Sequence, residues 1–127
     1  MLRALKRKEA VGLLPDQVPP EGQGTWAPFF GKPAYTMTLA TRLMQQTGAE
    51  CVVLRCERLP RGAGFVIHAS ELARELPTAT DASALVEAAT IINETMEQVI
   101  RSDPGQYMWG YNRYKAPRAA DAAEASA

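Results

Sequence analysis

Residues 3–17 read RALKRKEAVGLLPDQ, and the fold class turns on them. Met1, Leu2 and Leu5 fall on one side of a short helix, with Arg3, Lys6, Arg7 and Lys8 mostly on the other. Ala10–Leu14 is a short apolar run closed by Pro15, the pattern of a buried strand. A helix that feeds a buried strand is the second half of a βαβ unit, so the expected class is α/β. The strand that should pair first with Ala10–Leu14 has no sequence ahead of it. The expectation is therefore a partial mixed sheet flanked by helices.

Further along, residues 16–35 hold four prolines and three glycines and read as one long loop. Trp26, Phe29 and Phe30 argue that this loop is ordered. Thr36 is placed to cap a helix through Gln46, with Gly48 as its stop. Glu50–Arg58 reads as a strand, with Cys51, Val53, Arg55 and Glu57 on one face. PRGAG (60–64) is a turn, and Gly64–Ala69 completes a hairpin. Asp81 or Ser83 opens the longest helix, which runs to about Ser102. Its apolar stripe is Leu85, Val86, Ala89, Ile92, Met96, Val99 and Ile100, and Glu97 with Arg101 is an i, i+4 pair in the favourable order.

Composition excludes several function classes. The 127 residues carry 14 Lys and Arg, 14 Asp and Glu and one His, a formal net charge of zero. No surplus of cations is present to drive generic nucleic-acid binding. Two cysteines do not make a disulfide scaffold. No apolar run approaches the ~18 residues of a membrane-spanning helix. Residues 116–127, APRAADAAEASA, are small and charged and are expected to be a disordered tail. The foldable part is then residues 1–115.

The chemistry-bearing residues form no complete catalytic set. His68 is the one side chain that titrates near neutrality without a large shift. Its neighbour Glu71 lies three residues on, which in a strand is the opposite face, so His68 reads as a half-exposed strand histidine. Cys51 and Cys56 have odd spacing in one strand, cannot chelate one metal together, and read as small buried hydrophobes. Asp16 and Gln17 follow the buried strand, either at the ligand-facing mouth of an α/β sheet or as a local turn. Trp26, Phe29 and Phe30 are either core or an apolar lip for an acyl chain or a bilayer. Arg113 and Lys115, beside Tyr107, Trp109, Tyr111 and Tyr114, are either headgroup contacts or solvated cations. Gly22 and Gly24 open no phosphate-binding helix.

Beyond these physical readings, the chain resembles the C-terminal part of the lipid A biosynthesis acyltransferases, within the lysophospholipid acyltransferase-like superfamily. The stretches that carry the likeness are RALKRKEAVGLLPDQ (3–17), FFG (29–31), Ala34-Tyr35-Thr36, TGAECVV (47–53), Arg58, GAGFVI (62–67), Asn93 with Glu97, and PGQYMWGYNRYK (104–115). The resemblance implies the C-terminal part of a glycerolipid-acyltransferase-like fold. It implies transfer of a fatty acyl group from an acyl carrier protein thioester to a hydroxyl of a lipid A precursor. The place implied is the cytoplasmic face of a Gram-negative inner membrane, with no cofactor and no metal. It also implies substrate-binding roles for Asp16, Gln17, Phe29, Phe30, Gly31 and Arg58, and membrane or headgroup contact for Trp26, Arg113 and Lys115.

The family's general base is a histidine in an H-x4-D/E motif, and here the five-residue step from His68 lands on Ala73. The expectation is that this motif lies upstream of the chain, that the chain is a C-terminal fragment or a truncated gene product starting at an internal methionine, and that it is inactive alone. Lesser departures are Val53 where many relatives have proline, Gly105 where glutamate is usual and Tyr114 where phenylalanine is usual. A non-catalytic module that binds acyl chains or anionic lipid is the rival expectation. A histidine–carboxylate couple assembled around His68 would overturn the loss of the base.

Overall fold

The longest amphipathic run builds the longest element. Helix α3 spans Ala82–Ser102, and Asp81 caps it by accepting from Ala84 N–H at 2.9 Å. Its buried face holds Ala88, Ala89, Ile91, Ile92 and Ile100, but also Asn93 and Thr95, while Val86 lies exposed. Hydrophobicity alone misplaces that face slightly, because Asn93 and Thr95 enter the core with their hydrogen bonds made. The computed structural model describes residues 1–119. The tail expected over 116–127 lies from residue 120 onward outside the described residues, and within 116–119 the Arg118 carbonyl accepts from Glu21 N–H at 2.9 Å.

Over the described residues the molecule is α/β, with two small antiparallel sheets and three α-helices, in keeping with a partial sheet flanked by helices. In chain order these are α1 (Leu2–Lys6), β1 (Gly24–Phe29), β2 (Lys32–Met37), α2 (Leu39–Thr47), β3 (Val53–Arg58), β4 (Phe65–Ser70) and α3. Strands β1 and β2 form one hairpin, and β3 and β4 the other. The core lies between the first hairpin and α3, where Phe29, Ala34 and Ile100 pack with Phe30, Met96 and Tyr107 around them.

Two readings are corrected here. Ala10–Leu14 is irregular rather than a strand, and Leu14 is exposed. No strand among the described residues offers it a ladder, and an apolar run without a partner does not make a strand. Residues 24–37 form a hairpin rather than a loop. Prolines misled that reading. Pro28 lies directly opposite Pro33, and neither has an N–H to give, so this is a non-hydrogen-bonded pair. In a two-stranded ribbon both strands are edges, so proline is tolerated. The turn is Phe30-Gly31, with φ of 47° and 75°. Two successive positive φ values make the type I′ geometry that matches hairpin twist.

Other boundaries shift less. Thr36 sits inside β2, and Thr38 takes the helix N-cap position without a side-chain cap bond. Gly48, at φ 67°, ends α2 as a left-handed C-cap. The second hairpin forms as expected, and Glu97 pairs with Arg101 at 3.0 Å.

Candidate functional site

The pleat of the first hairpin sets up a buried polar network. With Pro28 and Pro33 a non-hydrogen-bonded pair, Trp26 and Tyr35 two steps away are another, so the Tyr35 carbonyl points outward from the ladder. Arg113 Nη1 donates to that carbonyl at 2.8 Å. Its Nη2 donates to Thr36 Oγ1 at 2.9 Å and to Asn93 Oδ1 at 3.2 Å. Asn93 Nδ2 in turn donates to Thr36 Oγ1 and to the Pro28 carbonyl, each at 2.9 Å. The guanidinium stacks 5.4 Å from the Phe29 ring centroid. Burial pushes the Arg113 guanidinium below its usual value, against the opposing pull of Tyr107 and the Asp16 carboxylate. Arg113 is 3% exposed, so it is neither a solvated cation nor a headgroup contact; it joins β2, α3 and the C-terminal segment from inside.

The other expected residues divide into two groups. Phe29 is core, while Phe30 and Gly31 form the hairpin turn. Glu97 holds that turn by accepting from Phe30 N–H at 2.7 Å, and Arg101 lies 5.0 Å over the Phe30 ring. Trp109 and Tyr114 join the aromatic cluster, and the Tyr114 hydroxyl donates to the Phe29 carbonyl at 2.8 Å. The hydroxyl that distinguishes this position from phenylalanine is therefore used. Asp16 is half-buried in a turn and Gln17 is exposed. That turn is tied to the aromatic segment by Val18 N–H, which donates to the Tyr111 hydroxyl at 2.9 Å. Trp26 is an exposed ring edge-on to Tyr35, and Lys115 lies 4.7 Å over the Tyr111 ring. Arg58 lies on the second hairpin; Gln106 accepts from its N–H at 2.8 Å and donates to its carbonyl at 3.1 Å.

One cluster escaped the reading along the chain. His68 Nε2 and Glu57 Oε2 are 2.7 Å apart. Arg55 pairs with His68 in the strand register, which puts Glu57 on the diagonal and on the same face. The hydrogen bond with His68 holds the Glu57 carboxyl below its ordinary range, opposed by burial and helped by Arg55. Arg55 lies 3.5 Å from Glu57 and 3.7 Å from Asp103, and its Nη1 has no hydrogen-bond partner among the described residues. Arg55, His68, Ser70, Gln98 and Ser102 line an open groove of about 290 Å³ between the second hairpin and α3. A histidine–carboxylate couple is therefore present, which the spacing of His68 to Glu71 alone did not supply. Cys56 is also corrected: it is exposed rather than buried, and both cysteines are free.

No helix among the described residues is long and apolar enough to cross a membrane. Residues 1–116 match the family model described as bacterial lipid A biosynthesis acyltransferase. The chain is 28% identical over 113 residues to the lipid A biosynthesis palmitoleoyltransferase of Escherichia coli (strain K12). It is similar to the same degree to the lipid A biosynthesis acyltransferase of Shigella flexneri. Each match covers 88% of this chain and 35% of the relative, so the chain spans about a third of the length of the curated relatives it matches. This family match, which runs across nearly every described residue, places the chain in the bacterial lipid A biosynthesis acyltransferase family.

Proposed function

We propose that this chain serves as the part of a lipid A acyltransferase that builds the wall beside the reacting groups. The reaction moves a fatty acyl group from an acyl carrier protein thioester to a hydroxyl of a lipid A precursor, at the cytoplasmic face of the bacterial inner membrane. The observation that carries this reading is the family match over residues 1–116. In such a transfer a general base takes the hydroxyl proton, the oxygen attacks the thioester carbonyl, and the thiolate of the carrier leaves. The residues of this chain contain no H-x4-D/E motif, and the His68–Glu57 couple joins two strands rather than standing in for that motif, so the proposal holds that the chain alone does not turn over. Asp16, Gln17 and the Phe30-Gly31 turn are the proposed substrate-side groups, with Phe29 supporting that turn from the core and Trp26 and Lys115 at the lipid-side surface.

A second reading rests on the 2.7 Å contact between His68 and Glu57. An imidazole oriented by a carboxylate is the geometry of a general base. On that reading the 127-residue chain transfers acyl groups by itself, and His68→Ala abolishes the activity. The first reading takes the couple as a cross-strand clamp of an open, two-stranded ribbon.

The decisive experiment is a chimera. The segment of the Escherichia coli palmitoleoyltransferase that aligns with this chain is replaced by it, and acyl transfer is assayed beside the isolated chain. Activity in the chimera, retained in its His68→Ala variant and absent from the isolated chain, supports the first reading. Turnover by the isolated chain that His68→Ala removes overturns it in favour of the second. A folded chimera without activity, beside an isolated chain that is also inactive, overturns both.

A further inference from the structure

The segment ahead of the first hairpin is held by a side chain rather than by a ladder. From Ala10 to Pro20 no backbone N–H reaches a backbone acceptor outside the segment among the described residues. Pro15, Pro19 and Pro20 have no N–H to offer. The amide that does reach out is Val18, which donates to the Tyr111 hydroxyl at 2.9 Å across 93 positions of sequence. Asp16 and Gln17 sit in the turn directly before it. Beyond Val18 the chain stiffens, because two consecutive prolines fix φ and the first of them is buried. Residues 15–18 make no other hydrogen bond to the rest of the described residues, so the position of Tyr111 is passed to the turn through this one contact.

Tyr111 is itself fixed from two sides. Its N–H donates to the Met108 carbonyl at 3.2 Å, and Lys115 Nζ stands 4.7 Å over its ring. Two residues on, Arg113 is locked into the core by the Tyr35 carbonyl, Thr36 and Asn93. The chain that leaves the turn is pinned as well. Glu21 N–H donates to the Arg118 carbonyl at 2.9 Å, and the Tyr35 hydroxyl accepts from Gly22 and Gly24 N–H at 3.0 and 3.2 Å. The run from the turn into β1 is thus hung on the C-terminal segment at one end and on β2 at the other.

We propose that Tyr111 is a positioning residue: its hydroxyl, by accepting from Val18 N–H, sets where the turn places Asp16 and Gln17. This rests on the reading of those two residues as substrate-side groups. Tyr111 acts through the turn and needs no contact with substrate. One neutral hydrogen bond to a half-buried amide contributes about 1 kcal/mol to the fold. A displacement of about 1 Å at a substrate-side group costs up to about 100-fold in rate.

The test replaces Tyr111 by phenylalanine, Tyr111→Phe, which keeps the ring over which Lys115 stands and removes only the acceptor. Amide exchange at Val18, followed by NMR in the full 127-residue chain, is expected to quicken at least about tenfold, with the amides of α3 unchanged to show that the fold survives. In the chimera with the Escherichia coli palmitoleoyltransferase, Tyr111→Phe is expected to lower kcat/KM about tenfold. Asp16→Ala with Gln17→Ala removes the groups that the turn presents, and Tyr111→Phe added to that pair is expected to change kcat/KM by less than about twofold. A hydroxyl that served stability alone would lower kcat/KM equally in both backgrounds. Unchanged exchange at Val18, an active chimera indifferent to Tyr111→Phe, or an equal loss in both backgrounds overturns the proposal. An inactive chimera sinks the reading of function instead, and exchange at Val18 by itself then upholds or overturns the hold of Tyr111 on the turn.

Discussion

Arg113→Ala tests the buried network directly. The substitution takes a donor from the Tyr35 carbonyl, which faces away from its ladder, and the donor from Asn93 Oδ1. Each stranded acceptor costs about 1–3 kcal/mol, giving about 2–6 kcal/mol for the pair. Thr36 Oγ1 is spared because Asn93 Nδ2 still donates to it. Two further effects oppose each other. The void beside Phe29 adds about 1–2 kcal/mol. Removal of a buried cation that has no carboxylate of the described residues within salt-bridge distance returns a similar amount or somewhat more. The expected net loss is about 3 kcal/mol, read as a shift in urea midpoint at unchanged slope. Arg113→Lys is not expected to rescue, because a point charge cannot serve three acceptors as the planar fork does. A loss under about 1 kcal/mol, or full rescue by lysine, would refute the reasoning and return Arg113 to the surface.

Three further outcomes follow from close contacts elsewhere. Gly24→Ala puts a methyl 2.6 Å from the Thr36 carbonyl and 2.9 Å from Pro19, and is expected to cost about 2–3 kcal/mol. Gly12→Ala, where nothing lies within 4 Å, is expected to be neutral in the same thermal-melt series. Glu97→Ala removes the acceptor from Phe30 N–H in a turn whose φ is 47°, and is expected to cost about 1–2 kcal/mol, with Glu97→Gln milder. Glu57 has its folded-state pKa lowered chiefly by His68, so its stabilisation is present above the ordinary glutamate range and lost as pH falls through the lowered value. The urea midpoint, followed from about pH 6 to about pH 3, should lose that component in His68→Gln; an identical profile in the variant would count against the couple.

The cluster around His68 shows how a site hides in plain residues. The alternation that put Arg55 and Glu57 on one face of β3 was readable, and so was the turn at 60–64. What was missing was the pairing offset, because residue-by-residue spacing from His68 reaches Glu71 and never crosses to the neighbouring strand. Once Arg55 pairs with His68, Glu57 follows on the diagonal.

Local chemistry, acting over a few residues, determined α3 with its Asp81 cap, the Gly48 end of α2 and the β3–β4 hairpin. It also carried the family likeness, because the order of short motifs survives without any knowledge of contacts. Tertiary structure alone decided that Ala10–Leu14 would find no ladder, that a proline-rich stretch would close as a type I′ ribbon, and that Arg113 would turn inward. The reason is common to all three. A strand, a proline at a sheet edge and a buried guanidinium are each stable only when distant partners satisfy their polar groups, and no short window of sequence contains those partners.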